Sequence, residues 1–186
     1  DSGMSPEEVK TGTYTLRETK APQGYEKVDD RQVEILIGLN EIKIEDPRIP
    51  GKVSLVKNDS SDPDILLEGA VFNLYKEDGT LVKEKIRTDE NGMLTVDDLE
   101  WGNYYLEEKE APDGHYLYGN LKKEFTIGAE ALAIELDMSN RSLGTVVLVK
   151  YDADQPDQTV AGAEYNLYTD KDKLIGTFTT DRNGRI

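Results

Sequence analysis

The sequence of 186 residues contains no cysteine and a single histidine, His115. Without cysteine the chain can form neither a disulfide nor a thiolate zinc site, and one histidine lacks the partners of the usual metal or catalytic centres. No apolar run approaches the roughly 18 residues that a membrane helix needs. We therefore expect no metal, no cofactor and no membrane partner.

Basic residues are also scarce, because 22 Lys and Arg stand against 38 Asp and Glu and give a formal net charge of −16. A charge of this sign repels nucleic acid and anionic membranes, so neither is expected as a partner. Glycine and tyrosine are plentiful, with 16 and 10 residues, and threonine and valine are frequent. This composition favours short strands joined by turns, which predicts an all-β fold.

Three blocks of sequence occur twice, which indicates a repeat. The two copies of each block are separated by about 90 residues in the sequence. The matching pairs are GTYTLRETKAPQGY (12–25) with GNYYLEEKEAPDGHY (102–116), GKVSLVK (51–57) with GTVVLVK (144–150), and GAVFNLY (69–75) with GAEYNLY (162–168).

The order of these blocks predicts the domain boundaries. Residues 51–142 hold a complete unit, residues 1–50 only the second half of a unit, and residues 143–186 only the first half. The two end pieces are therefore complementary, and both break at the same turn, since Asp1–Met4 resembles residues 90–93. Residues 143–186 could pair with residues 1–49 of another chain, head to tail, or of the same chain. Alternatively, the sequence is a window from a longer repeat protein.

Alternating apolar residues predict strands within the complete unit, and Asn91-Gly92 and Pro112-Asp113-Gly114 are typical of turns between strands. Short strands at this spacing favour a β-sandwich. The short connectors, residues 47–50 and 141–143, favour a stiff rod over flexibly linked beads.

Three polar residues fall in phase with the apolar residues of their strands and should point into the core: Lys57, Glu108 and Asn140. A lone charge in an apolar core is costly, whereas a buried Lys and Glu can compensate each other. A desolvated lysine readily becomes a neutral nucleophile, and a buried carboxylic acid can donate a proton to an amide oxygen. An asparagine held beside both could be attacked at its carbonyl carbon, releasing ammonia and leaving a Lys–Asn amide bond.

These motifs resemble the Cna B-type repeats, also called SpaA-like or prealbumin-like domains, of Gram-positive surface adhesins and pilins. The resemblance rests on Val-x-Leu-x-Lys, on Gly-Ala-x-Phe-x-Leu-Tyr and on Tyr-x-Leu-x-Glu-x-x-Ala-Pro-x-Gly, and it covers essentially the whole chain. It implies tandem Ig-like or prealbumin-like β-sandwich domains. It also implies a spontaneous isopeptide bond, with Lys57 as nucleophile, Glu108 as proton-transfer residue and Asn140 as acceptor.

The incomplete ends carry matching parts. Lys150 corresponds to Lys57 and Glu18 to Glu108, while Asp46 occupies the family's acceptor position, so the resemblance implies an aspartate-type bond there. Asn140 lies one residue closer to the next repeat than Asp46 does, which leaves the acceptor open. The alternatives are a lysine whose head reaches solvent and an ordinary linker asparagine.

The resemblance implies a structural stalk of a wall-anchored adhesin or pilus-like protein on the extracellular surface of a Gram-positive bacterium, with neighbouring repeat domains as partners. No sorting motif is recognised, and the host ligand is unknown. The alternative is a ligand-binding module for a host matrix protein. Tyr14, Trp101, Tyr104 and Tyr105 could form a binding patch, although packing in the core and strands is the default interpretation for these residues. An enzyme is not expected, because no Ser/His/Asp set is apparent and the isopeptide reaction occurs only once. His115 and the acidic segment 58–64 are interpreted as exposed loops.

Overall fold

The computed structural model describes residues 9–186, so the predicted turn at Asp1–Met4 lies outside the described residues. Across this range the regular elements are strands, and no helix there has the length and apolar character needed to cross a membrane. The chain divides into two compact units between Ser142 and Leu143.

The first unit begins with a two-stranded antiparallel sheet, in which β1 (Gly12–Leu16) pairs with β2 (Arg31–Ile35). Its apolar side chains remain accessible to solvent, as shown by Tyr14 and Leu16 on β1 at 39% and 41% exposure. A single sheet cannot bury both of its faces, so this piece lacks the second layer that a sandwich requires.

The complete sandwich follows and consists of eight strands. They are β3 (Gly51–Asp59), β4 (Val71–Lys76), β5 (Leu81–Arg87), β6 (Met93–Leu99), β7 (Gly102–Glu110), β8 (His115–Tyr116), β9 (Lys122–Ile127) and β10 (Ala133–Ser142). One sheet has the order β6-β3-β10-β8 and the other the order β5-β4-β7-β9. The prediction of an all-β sandwich is therefore confirmed.

Within the first sheet, β3 lies between β6, which runs antiparallel to it, and β10, which runs parallel. The first and last strands of the sandwich are thus direct neighbours. The second sheet is antiparallel throughout.

The core fills the space between the two sheets. Alternate residues of each strand point inward, as the period of two requires. Burying each large apolar side chain contributes about 1.5–3 kcal/mol. The fully or almost fully buried apolar residues include Val53, Leu55, Ala70, Phe72, Leu74, Leu94, Val96, Tyr104, Leu106, Ile127 and Met138.

Trp101 joins residues 9–50 to the sandwich. Its indole Nε1 donates a hydrogen bond of 2.9 Å to the carbonyl of Ile49, and the guanidinium of Arg48 lies 4.7 Å from the ring centroid. The ring of Tyr25 meets the indole edge to face at 5.1 Å. The connector before β3 is therefore held against the sandwich by a hydrogen bond, a cation–π contact and an aromatic pair.

The second unit contains one hairpin, in which β11 (Glu164–Tyr168) pairs antiparallel with β12 (Leu174–Thr179). Residues 144–150 repeat the sequence of β3 but do not form a regular strand. A counterpart of β10 is not among residues 143–186, so this segment lacks the parallel partner of β3. Its Val146 side chain is 78% exposed.

Candidate functional site

Lys57, Glu108 and Asn140 lie together inside the complete sandwich. Their residue exposures are 0%, 2% and 0%, so each is as buried as the apolar core. Lys57 is on β3 and Asn140 on the neighbouring β10, while Glu108 is on β7 of the opposite sheet. The structure thus brings together the three residues whose phase predicted burial.

The register of the parallel pair explains this convergence. On β10, Met138 lies beside Lys57 of β3, and Asn140 lies beside Asp59. Asn140 is thus two residues further along the sheet than Lys57, on the neighbouring strand and on the same inward face. Glu108 approaches from the other layer, because β7 is an interior strand of the second sheet.

The three side chains are close but incompletely hydrogen-bonded. Lys57 Nζ is 3.8 Å from Glu108 Oε1, and Asn140 Nδ2 donates to Glu108 Oε2 at 3.3 Å and to the Tyr116 carbonyl at 3.1 Å. Lys57 Nζ, Glu108 Oε1 and Asn140 Oδ1 are buried without a hydrogen-bond partner. Buried polar groups are normally paired, and leaving one unpaired costs about 1–3 kcal/mol. Three such unpaired atoms on neighbouring buried side chains make this cluster the candidate functional site.

Burial dominates the protonation of this site. Removal from water lowers the pKa of Lys57 to about 8, although the nearby Glu108 opposes the change. Burial likewise raises the pKa of Glu108, against the influence of Lys57 and Asn140. Both shifts favour the uncharged forms, a neutral amine beside a carboxylic acid.

One detail differs from the expected chemistry. Glu108 contacts the amide nitrogen of Asn140, whereas the sequence suggested proton donation to the amide oxygen. Tyr116 contributes through its backbone carbonyl, which no side-chain pattern could have indicated.

A second polar cluster lies beside the first and was missed from the sequence. It consists of Asp59, Ser61, His115 and Ser142 and is called the Asp59 cluster here. His115 Nε2 is 2.9 Å from Asp59 Oδ2, and Ser142 Oγ donates to the same oxygen. The interpretation of His115 as an exposed loop residue is therefore wrong. Asp59 follows Lys57 in phase on β3, and that signal could have revealed it.

The Asp59 cluster does contain a Ser/His/Asp set, but its arrangement is not that of a nucleophilic triad. In such a triad the histidine stands between the serine and the carboxylate. Here the carboxylate of Asp59 accepts a hydrogen bond directly from Ser142 Oγ, which is 3.4 Å from His115 Nε2. The serine is thus not activated for attack.

The second predicted set is divided between the two compact units. Glu18 and Asp46 are half-buried and line one open groove of about 430 Å³ in the first unit. Glu18 Oε2 accepts a hydrogen bond of 2.9 Å from the Val28 amide. Lys150 belongs to the second unit and its side chain is exposed.

Three of the four aromatic residues suggested for a binding patch, Trp101, Tyr104 and Tyr105, are packed against other residues. Tyr104 is buried in the core and Tyr105 stacks on Tyr75 at 5.0 Å. Across residues 9–186, no group of three or more metal-ligating side chains is arranged to hold an ion.

Comparisons with known proteins agree with this architecture. The family model described as SpaA, prealbumin-like fold domain, matches residues 2–47 and 51–142. None of the curated proteins is a significant match to the chain.

Among solved structures, the TIE protein of Bacillus anthracis is similar over 95% of this chain, with 25% identity and a TM-score of 0.62, and 34% of that protein is covered. BcpA, the major pilin subunit of Bacillus cereus, shares 32% identity over 54% of this chain and 31% of its own, with a TM-score of 0.46. The chain thus spans about a third of the length of each of these proteins.

Proposed function

Because the chain belongs to the family of SpaA prealbumin-like fold domains, we propose that it is a segment of a structural shaft whose complete sandwich forms an internal Lys57–Asn140 amide bond. The observation that carries the proposal is the buried set of unpaired atoms on Lys57, Glu108 and Asn140. A shaft of this kind belongs on the outside of a Gram-positive cell, anchored to its wall. The repeat and the Trp101 joint support a stiff segment built from neighbouring domains.

The proposed reaction is a transamidation that balances without any cofactor. The neutral amine of Lys57 attacks the side-chain carbonyl carbon of Asn140, and the bond from that carbon to Nδ2 breaks. Glu108 takes a proton from Lys57 Nζ through Oε1 and supplies one through Oε2 to the departing nitrogen, which leaves as ammonia. Glu108 ends as it began, and the reaction occurs once in each chain, so the protein is not an enzyme.

The fold lowers the barrier of the proposed reaction by holding the reacting groups close together. Glu108 lies within 3.8 Å of the nucleophile and 3.3 Å of the leaving nitrogen. Holding reacting groups in place can remove about 7–11 kcal/mol of a barrier.

The bond would connect β3 to β10, the first and last strands of the sandwich. Tension applied at the two ends of the domain would then pass through a covalent link instead of through the ladder of hydrogen bonds. A cross-link closing a loop of this size stabilises a fold by about 4–5 kcal/mol in the chain-entropy model. In a chain without cysteine, the proposed amide bond would have the stabilising role that disulfides have in other secreted proteins.

Intact mass under denaturing conditions tests the proposal. We expect the wild-type chain to lack one ammonia, and Lys57→Ala and Glu108→Ala to keep the unmodified mass. Lys76→Ala is the matched control, because Lys76 forms an exposed pair with Glu100 at 3.4 Å and should not affect the bond. An unmodified mass for the wild-type chain would overturn the proposal.

We also propose that residues 51–142 are a complete domain and that residues 1–50 and 143–186 are halves completed by neighbouring repeats. The open groove lined by Glu18 and Asp46 supports this, as does the exposure of Val146. Completion would bring a residue equivalent to Lys150 to the groove and allow an amide bond to Asp46 with loss of water. Pairing between chains would then produce covalent multimers that increase with concentration, whereas pairing within one chain would add one water loss to the monomer. The pairing would be excluded if neither covalent multimers nor the water loss were observed. It would also be excluded if either of them persisted in the Lys150→Ala variant.

A further inference from the structure

The carboxamide of Asn140 is held by both of its hydrogens. One is donated to Glu108 Oε2 at 3.3 Å and the other to the Tyr116 carbonyl at 3.1 Å. Two fixed acceptors determine the rotation of the amide plane and therefore the direction in which its carbonyl carbon faces. Glu108 moves protons in the proposed reaction, so Tyr116 is the contact that serves only to orient the acceptor.

Tyr116 belongs to β8, which has two residues and, among residues 9–186, pairs with β10 alone through Arg141 and Ser142. A strand this short has too few ladder bonds to be held by backbone pairing alone. The position of the Tyr116 carbonyl must therefore depend on side chains that hold β8 in place.

The Asp59 cluster provides that attachment. Asp59 is 4% exposed, and its carboxylate accepts from the Ser61 amide at 2.7 Å, from Ser61 Oγ at 2.5 Å and from Ser142 Oγ. These donors, Ser142 first, hold the pKa of Asp59 well below its usual range. Asp59 is thus a buried, ionised anchor at the end of β3.

His115 connects β8 to this anchor. Its Nε2 is 2.9 Å from Asp59 Oδ2, and its Nδ1 is 2.9 Å from the carbonyl oxygen of Asp113. Both partners are oxygen atoms that accept hydrogen bonds. Because Asp59 is ionised, its contact with Nε2 is a charge-assisted link between β8 and β3, and the His115 side chain is only 13% exposed.

We propose that His115 is a positioning residue for the cross-link, acting through Asp59 to hold the Tyr116 carbonyl against the Asn140 carboxamide. This inference rests on the proposed amide bond. Asp59 lies two residues after Lys57 and is the register partner of Asn140. The contact therefore ties the strand of the nucleophile, the strand of the acceptor and β8 into one arrangement.

The first repeat has different residues at the positions of His115 and Ser142. There the bridge equivalent to His115 and Ser142 is formed by Tyr25 and Arg48. Those two side chains contact Trp101 in the joint. Position 115 thus differs between the two repeats, and only in the complete sandwich does a histidine attach β8 to β3.

The test measures the rate of ammonia loss after cell-free synthesis, by quenching samples in acid and recording intact mass. His115→Phe keeps a ring but removes the donor, whereas His115→Gln keeps an N–H donor at the same reach. We expect the Phe variant to form the bond about tenfold more slowly and the Gln variant to remain within about threefold of the wild-type rate. Equal rates for all three chains would overturn the inference.

A second measurement separates positioning from folding. In the Glu108→Gln background, which cannot cross-link, the side-chain amide protons of Asn140 report the Tyr116 contact by hydrogen exchange in NMR spectra. We expect His115→Phe to lose this protection and His115→Gln to keep it, while both retain the backbone protection of β3 and β10. Retained protection in the Phe variant would contradict the inference.

If His115→Phe does not fold, Asp59→Asn is the substitute, because it removes the charge of the anchor without changing its size. It should slow formation of the amide bond in the same way, and an unchanged rate would count against the inference.

A wild-type chain that keeps its full mass would refute the proposed bond itself. Amide protection of Asn140 would still report whether His115 positions it, so the two failures are distinguishable.

Discussion

Lys57 Nζ lies 3.8 Å from Glu108 Oε1, and both side chains are completely excluded from solvent. This separation is too long for a hydrogen bond. The two groups are therefore close enough to interact electrostatically but lack the hydrogen bond that normally compensates the burial of charge. An amine in this position is poorly stabilised as an ion, in agreement with the lowered pKa of Lys57.

Removing only one member of the pair should be more damaging than replacing both. Glu108→Ala leaves Lys57 alone in an apolar core, whereas Lys57→Met with Glu108→Leu leaves neither charge nor cross-link. We expect the single variant to be about 3–5 kcal/mol less stable than the double variant in urea denaturation. The same comparison at the exposed pair Lys76 and Glu100 should differ by less than about 1 kcal/mol. Equal stabilities at the buried pair would show that Lys57 finds another partner.

The rate of amide-bond formation should depend on the protonation of Lys57. Only the neutral amine attacks, and burial lowers the pKa of Lys57 to about 8. We expect the rate of ammonia loss to rise with pH up to about 8 and then to level off, because the amine is then mostly neutral. A time course of intact mass across a pH series measures this. A rate that climbs until the pKa of an ordinary lysine, about 10.4, would contradict the assignment.

Stability without the cross-link should also depend on pH. The folded pKa of Lys57, about 8, lies below the value of about 10.4 for an unfolded lysine. Between these pH values the unfolded chain binds more protons, so the free energy of unfolding should increase as pH rises. Asn140→Ala, which cannot form the bond, is the chain to titrate. Adding Lys57→Met should remove the increase, and its persistence would point to another group.

Two glycines at equivalent repeat positions test the joint. Gly24 and Gly114 both have positive φ, at +81° and +73°, so alanine strains each by a similar amount. A Cβ on Gly24 would lie 2.6 Å from the Ala129 Cα, whereas one on Gly114 meets nothing within 4 Å. We expect only Gly24→Ala to open the joint at Trp101.

Hydrogen exchange of the Ile49 amide and the fluorescence of Trp101 measure that opening. The Ile49 amide donates to the Gly24 carbonyl at 2.8 Å, so it should exchange faster in Gly24→Ala, and the indole emission should shift to the red. Gly114→Ala serves as the control for backbone strain. Identical behaviour of the two variants would show that the joint tolerates the added methyl group.

Much of the complete sandwich could be predicted from local patterns. A period of two assigns each residue of a strand to one face, so Val53 and Leu55 predicted the inward phase of Lys57 without knowledge of any partner strand. The same argument correctly predicted burial of Glu108 and Asn140. The repeat predicted which residue types recur, because it compares the chain with itself.

Patterns within one strand could not indicate what lies across from it. The interpretation of His115 failed because its partner, Asp59, is 56 residues away and on another strand. The Tyr116 contact was equally hidden, since a backbone carbonyl leaves no mark in the sequence. Residues 144–150 likewise share the sequence of β3 but not its regular strand, because strand formation depends on a pairing partner.

The sequence by itself determined the strand periodicity, the repeat and the inward phase of the lysine, glutamate and asparagine, since all of these follow from the order of residues along one chain. Only the tertiary structure decided that β10 lies parallel to β3, that Glu108 faces the amide nitrogen, and that His115 reaches Asp59. Distances between strands depend on register and on packing of the two layers, and those are properties of the whole sandwich rather than of any segment.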